Sequence, residues 1–317
     1  MPVQKQSKVA IVGAGSVGTS LAYACLIRGV AREITLYDID TKKVEAEVLD
    51  LAHGTQFTGS SVMTGSSDIT TVAGADVVII TAGAKQKPGQ TRLDLVGVNV
   101  SILESLMPRL VELAPDAVFV LVTNPCDVLT VIAQRISGLP PGRVISSGTV
   151  LDTSRLRWII AKLAGGLAPT SVHATIVGEH GDSEFALWSQ ATIGPIPILD
   201  WERDGERPFT EETLESITHY VRTAAYKVIE GKGATNYAIG LSGARIAEAI
   251  INDEHAIMPV STLLQGQWGI DDVAISTPVI VSAKGVERIL DTPMSPSELE
   301  KFLASAEEIR STVRSVS

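Results

Sequence analysis

The sequence predicts an α/β protein: a doubly wound parallel sheet with helices on both faces, followed by an α+β domain. Three observations carry this. Through the first half, short and almost wholly apolar runs alternate with longer helical patterns, as strands covered on both faces require. Glycines crowd the first strand-to-helix turn. After about Gly148 the alternation gives way to a mixed pattern of short strands and long helices.

In order, KVAIVG (8–13), EITLYD (33–38), DVVIITAG (76–83), AVFVLVTN (117–124) and RVISSG (143–148) read as strands. Helical patterns lie between them at 16–28, 40–53, 92–114 and 125–137, and Pro108 should kink or divide the third. A helix is expected over 152–164. SVHATIVGEHG (171–181) reads as a strand running into a loop, and TIGPIPIL (192–199) and VAISTPVIV (273–281) as antiparallel strands. Helices follow over 210–230 and 235–251. The last helix begins at SPSE, where Ser295 can cap, Pro296 suits the first turn and Glu298 completes a capping box. Its apolar face is Leu299, Phe302, Leu303, Ala306, Ile309 and Val313. Residues 1–148 are expected to form one domain, and 149–317 a second tied directly to it.

Composition narrows the function. Of 317 residues, 45% are hydrophobic, enough for a real core. The net charge of −10 repels phosphate backbones and anionic lipid, so neither nucleic acid nor a membrane surface is an expected partner. The polar opening MPVQKQSK has no features of a signal peptide, and no apolar run approaches the length of a membrane span. Cys25 and Cys126 lie in apolar segments and read as buried reduced thiols. That usage suits a cytoplasmic protein. His53, His219 and His255 are scattered and suggest no metal site.

The turn after the first strand carries Gly13, Gly15 and Gly18 in a GxGxxG spacing. The first glycine permits the tight turn, the second lets backbone approach a pyrophosphate, and the third lets the helix pack against the sheet. The helix N-terminus then offers free N–H groups and a positive dipole end to the phosphates. The spacing alone is a weak signal. Here it joins a strand to a helix, and the next strand ends in Asp38, about 20 residues past Gly18. A carboxylate there accepts from both ribose hydroxyls and repels a 2′-phosphate, so the cofactor expected is NAD on a Rossmann-type domain.

The segments GAGSVGTS, DLAHG, AGAKQKPGQTRLDL, VTNPCDVLT, SSGTVLDTSRLR and VGEHGDSE follow one another in the order seen in the lactate and malate dehydrogenase family. The chain resembles that family over nearly its whole length, and most closely its bacterial L-lactate branch. GEHGDSE and LDTSRLR are the most specific pieces. The resemblance implies reversible hydride transfer between NADH and the carbonyl carbon of pyruvate, giving L-lactate. It makes His180 the acid/base, a role an imidazole fills near neutral pH. It makes Asp152 the partner that fixes the imidazole tautomer, and Arg155 the bidentate grip on the substrate carboxylate. Taken singly, Asp152 also suits a helix N-cap. Arg92 closes a polar loop, 85–92, that the family uses as a lid, and there polarises the substrate carbonyl. Asn124 bonds the same oxygen, and Thr235 shapes the methyl pocket or caps a helix. Along the cofactor the resemblance adds Val17, Lys43, Gly83, Ala84, Ser105, Val122, Asn124 and Ser147 to the glycines and Asp38.

Lactate is distinguished from malate at Gln86, a lid position that is glutamine in the family's lactate enzymes and arginine in its malate enzymes. Oxaloacetate carries a second carboxylate. Enclosed without a cation it costs on the order of several kcal/mol. Malate dehydrogenase and a broader 2-hydroxyacid dehydrogenase are the rival enzymes, the second turning on pocket volume around Gln86, Thr235 and Ile239. A non-catalytic NAD sensor would lack His180, Asp152, Arg92 or Arg155, and all four are present. Arg157 and His173 match positions that bind fructose 1,6-bisphosphate across a subunit interface in allosteric members, and the family's homotetramer goes with that site. The chain departs from the family at Cys126, where valine is usual, at Ser146, where glycine is common, and at Asn236, where tyrosine is typical.

Overall fold

The computed structural model describes residues 6–84 and 92–316, with backbone only at 92–94. The first half runs β1 (Lys8–Val12), α1 (Ser16–Arg28), β2 (Glu33–Tyr37), α2 (Thr41–His53), β3 (Val62–Ser66), β4 (Val77–Ile80), α3 (Arg92–Leu113), β5 (Val118–Leu121), α4 (Cys126–Ser137) and β6 (Val144–Ser146). The second half runs α5 (Val150–Leu163), β7 (Val172–His173), β8 (Ile176–Val177), β9 (Phe185–Ala186), β10 (Thr192–Ile193), β11 (Ile196–Pro197), α6 (Glu211–Lys232), α7 (Tyr237–Ile251), β12 (Ala256–Met258), β13 (Ser261–Gln265), β14 (Asp271–Ser276), β15 (Val279–Ser282), β16 (Gly285–Ile289) and α8 (Pro296–Val316).

The main sheet has the order β14-β13-β6-β5-β4-β1-β2-β3. Pairings from β3 to β6 are parallel; β13 and β14 join antiparallel at the far edge. Chain direction across the sheet reverses between β1 and β4. There the connections leave on opposite faces and a crevice opens at the strands' carboxyl ends. The central strands β1, β4 and β5 are almost wholly apolar because both faces are covered. Val9 and Ile11 pack with α1 and α7, while Ala10 and Val12 pack with α3, α4 and α8. A third core gathers Leu156, Ile160, Val172, Leu214 and Val221 from α5, β7 and α6.

Several expectations change. Pro108 does not divide α3, which is one helix over Arg92–Leu113. The sheet contains a strand, β3, that the sequence reading passed over; VMTGS buries only Met63 and lacks an apolar run. The two long strand readings in the second half resolve into pairs of two-residue strands, β7 with β8 and β10 with β11. In VAISTPVIV, β14 and β15 fall in different sheets. Helix α5 starts at Val150 with Thr149 at its N-cap, so Asp152 lies inside the first turn and does not cap. Asn236, not Thr235, is the N-cap residue of α7.

On α8 the capping box is formed: Ser295 N–H donates to Glu298 at 2.8 Å, and Glu298 N–H to the Ser295 hydroxyl at 3.3 Å. Its buried face keeps Phe302, Ala306, Ile309 and Val313 but departs from the pattern at Leu299, which is half-buried, and at Leu303. Leu303 is 42% exposed, and Ser305 is fully buried in a polar contact described below. Cys25 and Cys126 are free and buried, and burial pushes the Cys25 thiol up to about 12. Among the described residues no helix is long and apolar enough to cross a membrane. Phe302, fully buried on α8, meets the Trp268 ring edge-on at 5.1 Å. Phe302→Ala should cost about 3–5 kcal/mol by cavity formation, seen as a lower urea midpoint at unchanged slope.

Candidate active site

The glycine turn closes on itself through backbone contact. Gly13 has φ +108°, and a Cβ on Gly18 would sit 1.8 Å from the Gly13 carbonyl oxygen, so neither position takes a side chain. Space above Gly15 is open. Gly15 is the N-cap residue of α1, and Val17 lies in the first turn, so the helix end faces the crevice. Asp38 follows β2 and accepts the Ala14 N–H at 2.7 Å, which pins the carboxylate to the glycine turn. Beside it a hollow of about 540 Å³ is lined mainly by apolar side chains, among them Tyr37, Ile39, Val98, Ile102 and Leu106, with Ser105 and Arg109 at its polar edge. Lys43 is exposed on α2, its N–H bonded to Asp40. Ala84 N–H donates to Asn99 Oδ1 at 2.8 Å, and Asn99 in turn donates to the Asn124 carbonyl at 2.9 Å. Gly83, Val122, Asn124 and Ser147 thus follow the carboxyl ends of β4, β5 and β6. These residues fit NAD.

Across the crevice, α5 and the loop after β8 bring three predicted residues together. Asp152 is 1% exposed. Its Oδ1 accepts from Arg155 Nη1 at 2.6 Å and its Oδ2 meets His180 Nδ1 at 2.7 Å. The spacing of three puts Asp152 and Arg155 on one helix face. Burial pulls the imidazole down, but the charge and hydrogen bond of Asp152, with help from Glu184 and Asp127, outweigh it and lift His180 to about 9. Burial also pushes the Asp152 carboxyl up. The facing His180 and Arg155 charges reverse that and hold it below the usual carboxylate range. The ring is therefore held as a cation with its Nδ1–H on Asp152, and Nε2 is the atom left to exchange a proton.

Two carboxylates in this cluster escaped the sequence reading. Glu184 is 2% exposed, and burial, then the Asp152 charge, push its carboxyl well above the usual range. One donor atom each of Asp152, His180 and Glu184 lies within 4.8 Å of the others. That spacing would suit a cation, but both Asp152 oxygens are already bonded and the trio is organised around a proton. Asp127, 2% exposed, accepts the His180 backbone N–H on Oδ2 at 2.7 Å. The available signal was a single acid inside an apolar run, CDVLTVIA and SEFALW. A third group missed is Ser305, which accepts the Glu179 N–H at 2.8 Å and meets the Ser183 hydroxyl at 2.8 Å.

The remaining predicted residues stand as follows. The Arg92 backbone opens α3 beside the crevice, and its side chain lies outside the described set. Gln86 also lies outside the described residues. Thr235 is partly buried in the loop before α7. Its neighbour Asn236 donates to Ser20 Oγ on α1 at 2.9 Å, so this departure from the family ties the loop to the cofactor half. Arg157 Nε donates to the Ala174 carbonyl at 2.9 Å, which sets it next to the exposed His173.

A dinucleotide cradle facing a protonated His–Asp couple and an arginine defines a nicotinamide-dependent dehydrogenase. Residues 7–146 match the family model for the lactate/malate dehydrogenase NAD binding domain, and 149–317 that for its alpha/beta C-terminal domain. The chain belongs to the lactate/malate dehydrogenase family and uses NAD. It is 50% identical over 309 residues to an L-lactate dehydrogenase of Bifidobacterium animalis subsp. lactis, covering 97% of this chain and 96% of that one. To an L-lactate dehydrogenase of a Synechococcus strain it is 44% identical, covering 98% and 99%. The minor L-lactate dehydrogenase of Enterococcus mundtii superposes with a TM-score of 0.93 at 43% identity over 98% of each chain.

Because the folded pKa is raised, protonated His180 contributes stability fully present below its ordinary 6.5 and lost as pH rises through about 9. An NMR titration of the five histidines should show one imidazole with a midpoint near 9. In Asp152→Asn that midpoint should fall toward the ordinary 6.5, because the largest opposition to burial is gone and only the weaker effects of Glu184 and Asp127 remain.

Proposed function

We propose that this chain is an L-lactate dehydrogenase that reduces pyruvate to L-lactate with NADH, and that residues 1–148 hold the cofactor while 149–317 carry the substrate. The observation that carries the proposal is the shared Asp152 carboxylate, with Arg155 on one oxygen and His180 on the other. NADH, when bound, supplies the hydride, and NAD accepts it in the reverse direction.

The chain's own residues do the rest. Arg155 keeps one nitrogen on Asp152 and turns its remaining donors to the substrate carboxylate, which sets the molecule's orientation. His180 Nε2–H donates to the carbonyl oxygen and gives up its proton as that oxygen gains charge. Asp152 stabilises the cation before transfer and holds the tautomer after it. Arg92 and Asn124 are assigned to the same oxygen, Thr235 to the methyl side, and Gln86 to the lid over the substrate's tail. A neutral amide at 86 gives a second carboxylate no partner, which favours pyruvate over oxaloacetate. In NADH-oxidation assays pyruvate should outrun oxaloacetate by orders of magnitude, and Gln86→Arg should reverse the preference; a wild type that prefers oxaloacetate would overturn the lactate assignment. The reading places the enzyme in the cytoplasm.

The effector proposed is fructose 1,6-bisphosphate, bound by Arg157 and His173 with their symmetry mates in a homotetramer. Two observations support it. Arg157 is tethered beside His173, so the two offer neighbouring positive groups to a phosphate. Large apolar side chains stand exposed on several helices: Tyr23 and Ile27 on α1, Trp158 on α5, Ile229 on α6, Tyr237 and Leu241 on α7. Such surface is unusual on a monomer. Fructose 1,6-bisphosphate should lower the pyruvate half-saturation concentration in wild type and have no effect in Arg157→Gln; sedimentation should give four chains.

A further inference from the structure

The loop that carries His180 is held by three consecutive backbone N–H groups, each donated to a different element. Gly178 N–H goes to the Ser276 carbonyl on β14 at 3.0 Å, and the Ser276 N–H returns to Gly178 at 3.1 Å. Glu179 N–H goes to Ser305 Oγ on α8 at 2.8 Å. His180 N–H goes to Asp127 Oδ2 on α4 at 2.7 Å. Two of these acceptors are neutral. The third is a carboxylate, and it holds the residue that exchanges the proton.

Asp127 is the second residue of α4. A first-turn acid is favoured by the helix dipole, and most such acids face water. This one is buried and reaches to a loop 53 positions away in sequence. A buried carboxylate is costly unless its charge is used. Burial pushes Asp127 up to about 6, opposed by the Ser261 hydroxyl and the His180 N–H, so it is an anion at the pH where the imidazole is a cation. Charged or titratable groups on the other elements facing His180 are Asp152 and Arg155 on α5, Glu179 and Glu184 on the loop itself, and Arg222 on α6, which donates to the Glu184 carbonyl at 2.8 Å. Neither α8 nor β14 adds a charge at its contact; each supplies a serine or a backbone group.

We propose that Asp127 is a second carboxylate of the acid/base machinery: a positioning residue that fixes the His180 backbone with one oxygen and holds the imidazole in its cationic form with its charge. It acts from the main-chain side, while Asp152 acts on the ring. Orientation is thereby set at both ends of the histidine, and two anions of different reach share the task of keeping the proton in place. The inference rests on the dehydrogenase reading of the site and does not depend on which 2-oxo acid is reduced.

The test uses Asp127→Asn, Asp127→Glu and Asp127→Ala in the full chain, with two readouts. One is the NMR titration of the His180 ring, which needs neither cofactor nor substrate. The other is the pH profile of kcat/KM for whichever 2-oxo acid the wild type reduces with NADH. Asp127→Asn keeps an acceptor for the His180 N–H and removes the charge. Its imidazole midpoint should fall, by less than in Asp152→Asn, in the titration and in the alkaline limb alike. Asp127→Glu should restore most of the shift. Asp127→Ala also loses the backbone contact and should lower kcat roughly 10- to 100-fold with KM little changed, since Arg155 is untouched. An unshifted midpoint in Asp127→Asn overturns the proposal. Failure of Asp127→Asn to fold does so too, because a neutral side chain of the same shape is intolerable only where the charge serves the fold itself. If wild type reduces no 2-oxo acid, the functional reading fails while the NMR titration still decides the electrostatic one.

Discussion

Asp152 gives one oxygen to a guanidinium and the other to an imidazole while almost wholly removed from water. A lone carboxylate so placed would take up a proton, because burial penalises the charged form. Two cations in direct contact reverse that, and each is fixed in return. Arg155 is held at one nitrogen and so presents its plane in one direction; His180 is held at Nδ1 and so exposes Nε2. Arg155 and His180, the residues proposed to orient the substrate and to exchange the proton, share one anchor, and their separation follows from the width of a single carboxylate. If Asp152 were protonated, both would lose orientation together.

The cofactor half shows the same economy in another form. Asp38 is read as the ribose ligand, yet Oδ2 already accepts the Ala14 N–H inside the glycine turn. The carboxylate assigned to the ribose thus also braces the glycine turn. Gly13 and Gly18 touch backbone to backbone, so the helix end cannot drift from the strand.

Much of this was legible in the sequence, for physical reasons. The central parallel strands could be read because a strand buried on both faces is apolar at most positions. The turn could be read because close backbone approach admits only glycine. His180, Asp152 and Arg155 could be read because their flanking motifs resemble a family's. What was hidden depends on partners distant in the chain. β3 is an edge strand with one buried residue, so no apolar run announces it. Asp152 looked like a cap because a first-turn acid caps in the absence of a better partner, and His180 is 28 positions away. On α8 the period placed Leu303 inward, but the contact with the His180 loop is polar, and Ser305 makes it. Asp127 and Glu184 were single acids in apolar runs, a pattern that says only that something must pair with them.

Ser276 on β14 connects these layers. Its backbone pairs with Gly178 in both directions, and its hydroxyl accepts the N–H of Thr149, the N-cap residue of α5, at 3.1 Å. The Thr149 hydroxyl in turn donates to the Ile176 carbonyl in β8 at 2.6 Å. One serine at the end of a strand thus fixes the start of the helix that carries Asp152 and Arg155 and the start of the loop that carries His180. That strand belongs to the sheet that builds the cofactor crevice. The relative position of His180, Arg155 and the crevice is consequently set by hydrogen bonds that one strand residue makes through its backbone and its hydroxyl. Such bonds are short, buried and stiff. They explain how chemistry that needs atoms placed to within an ångström can be supported by a second half made of two-residue strands and long helices.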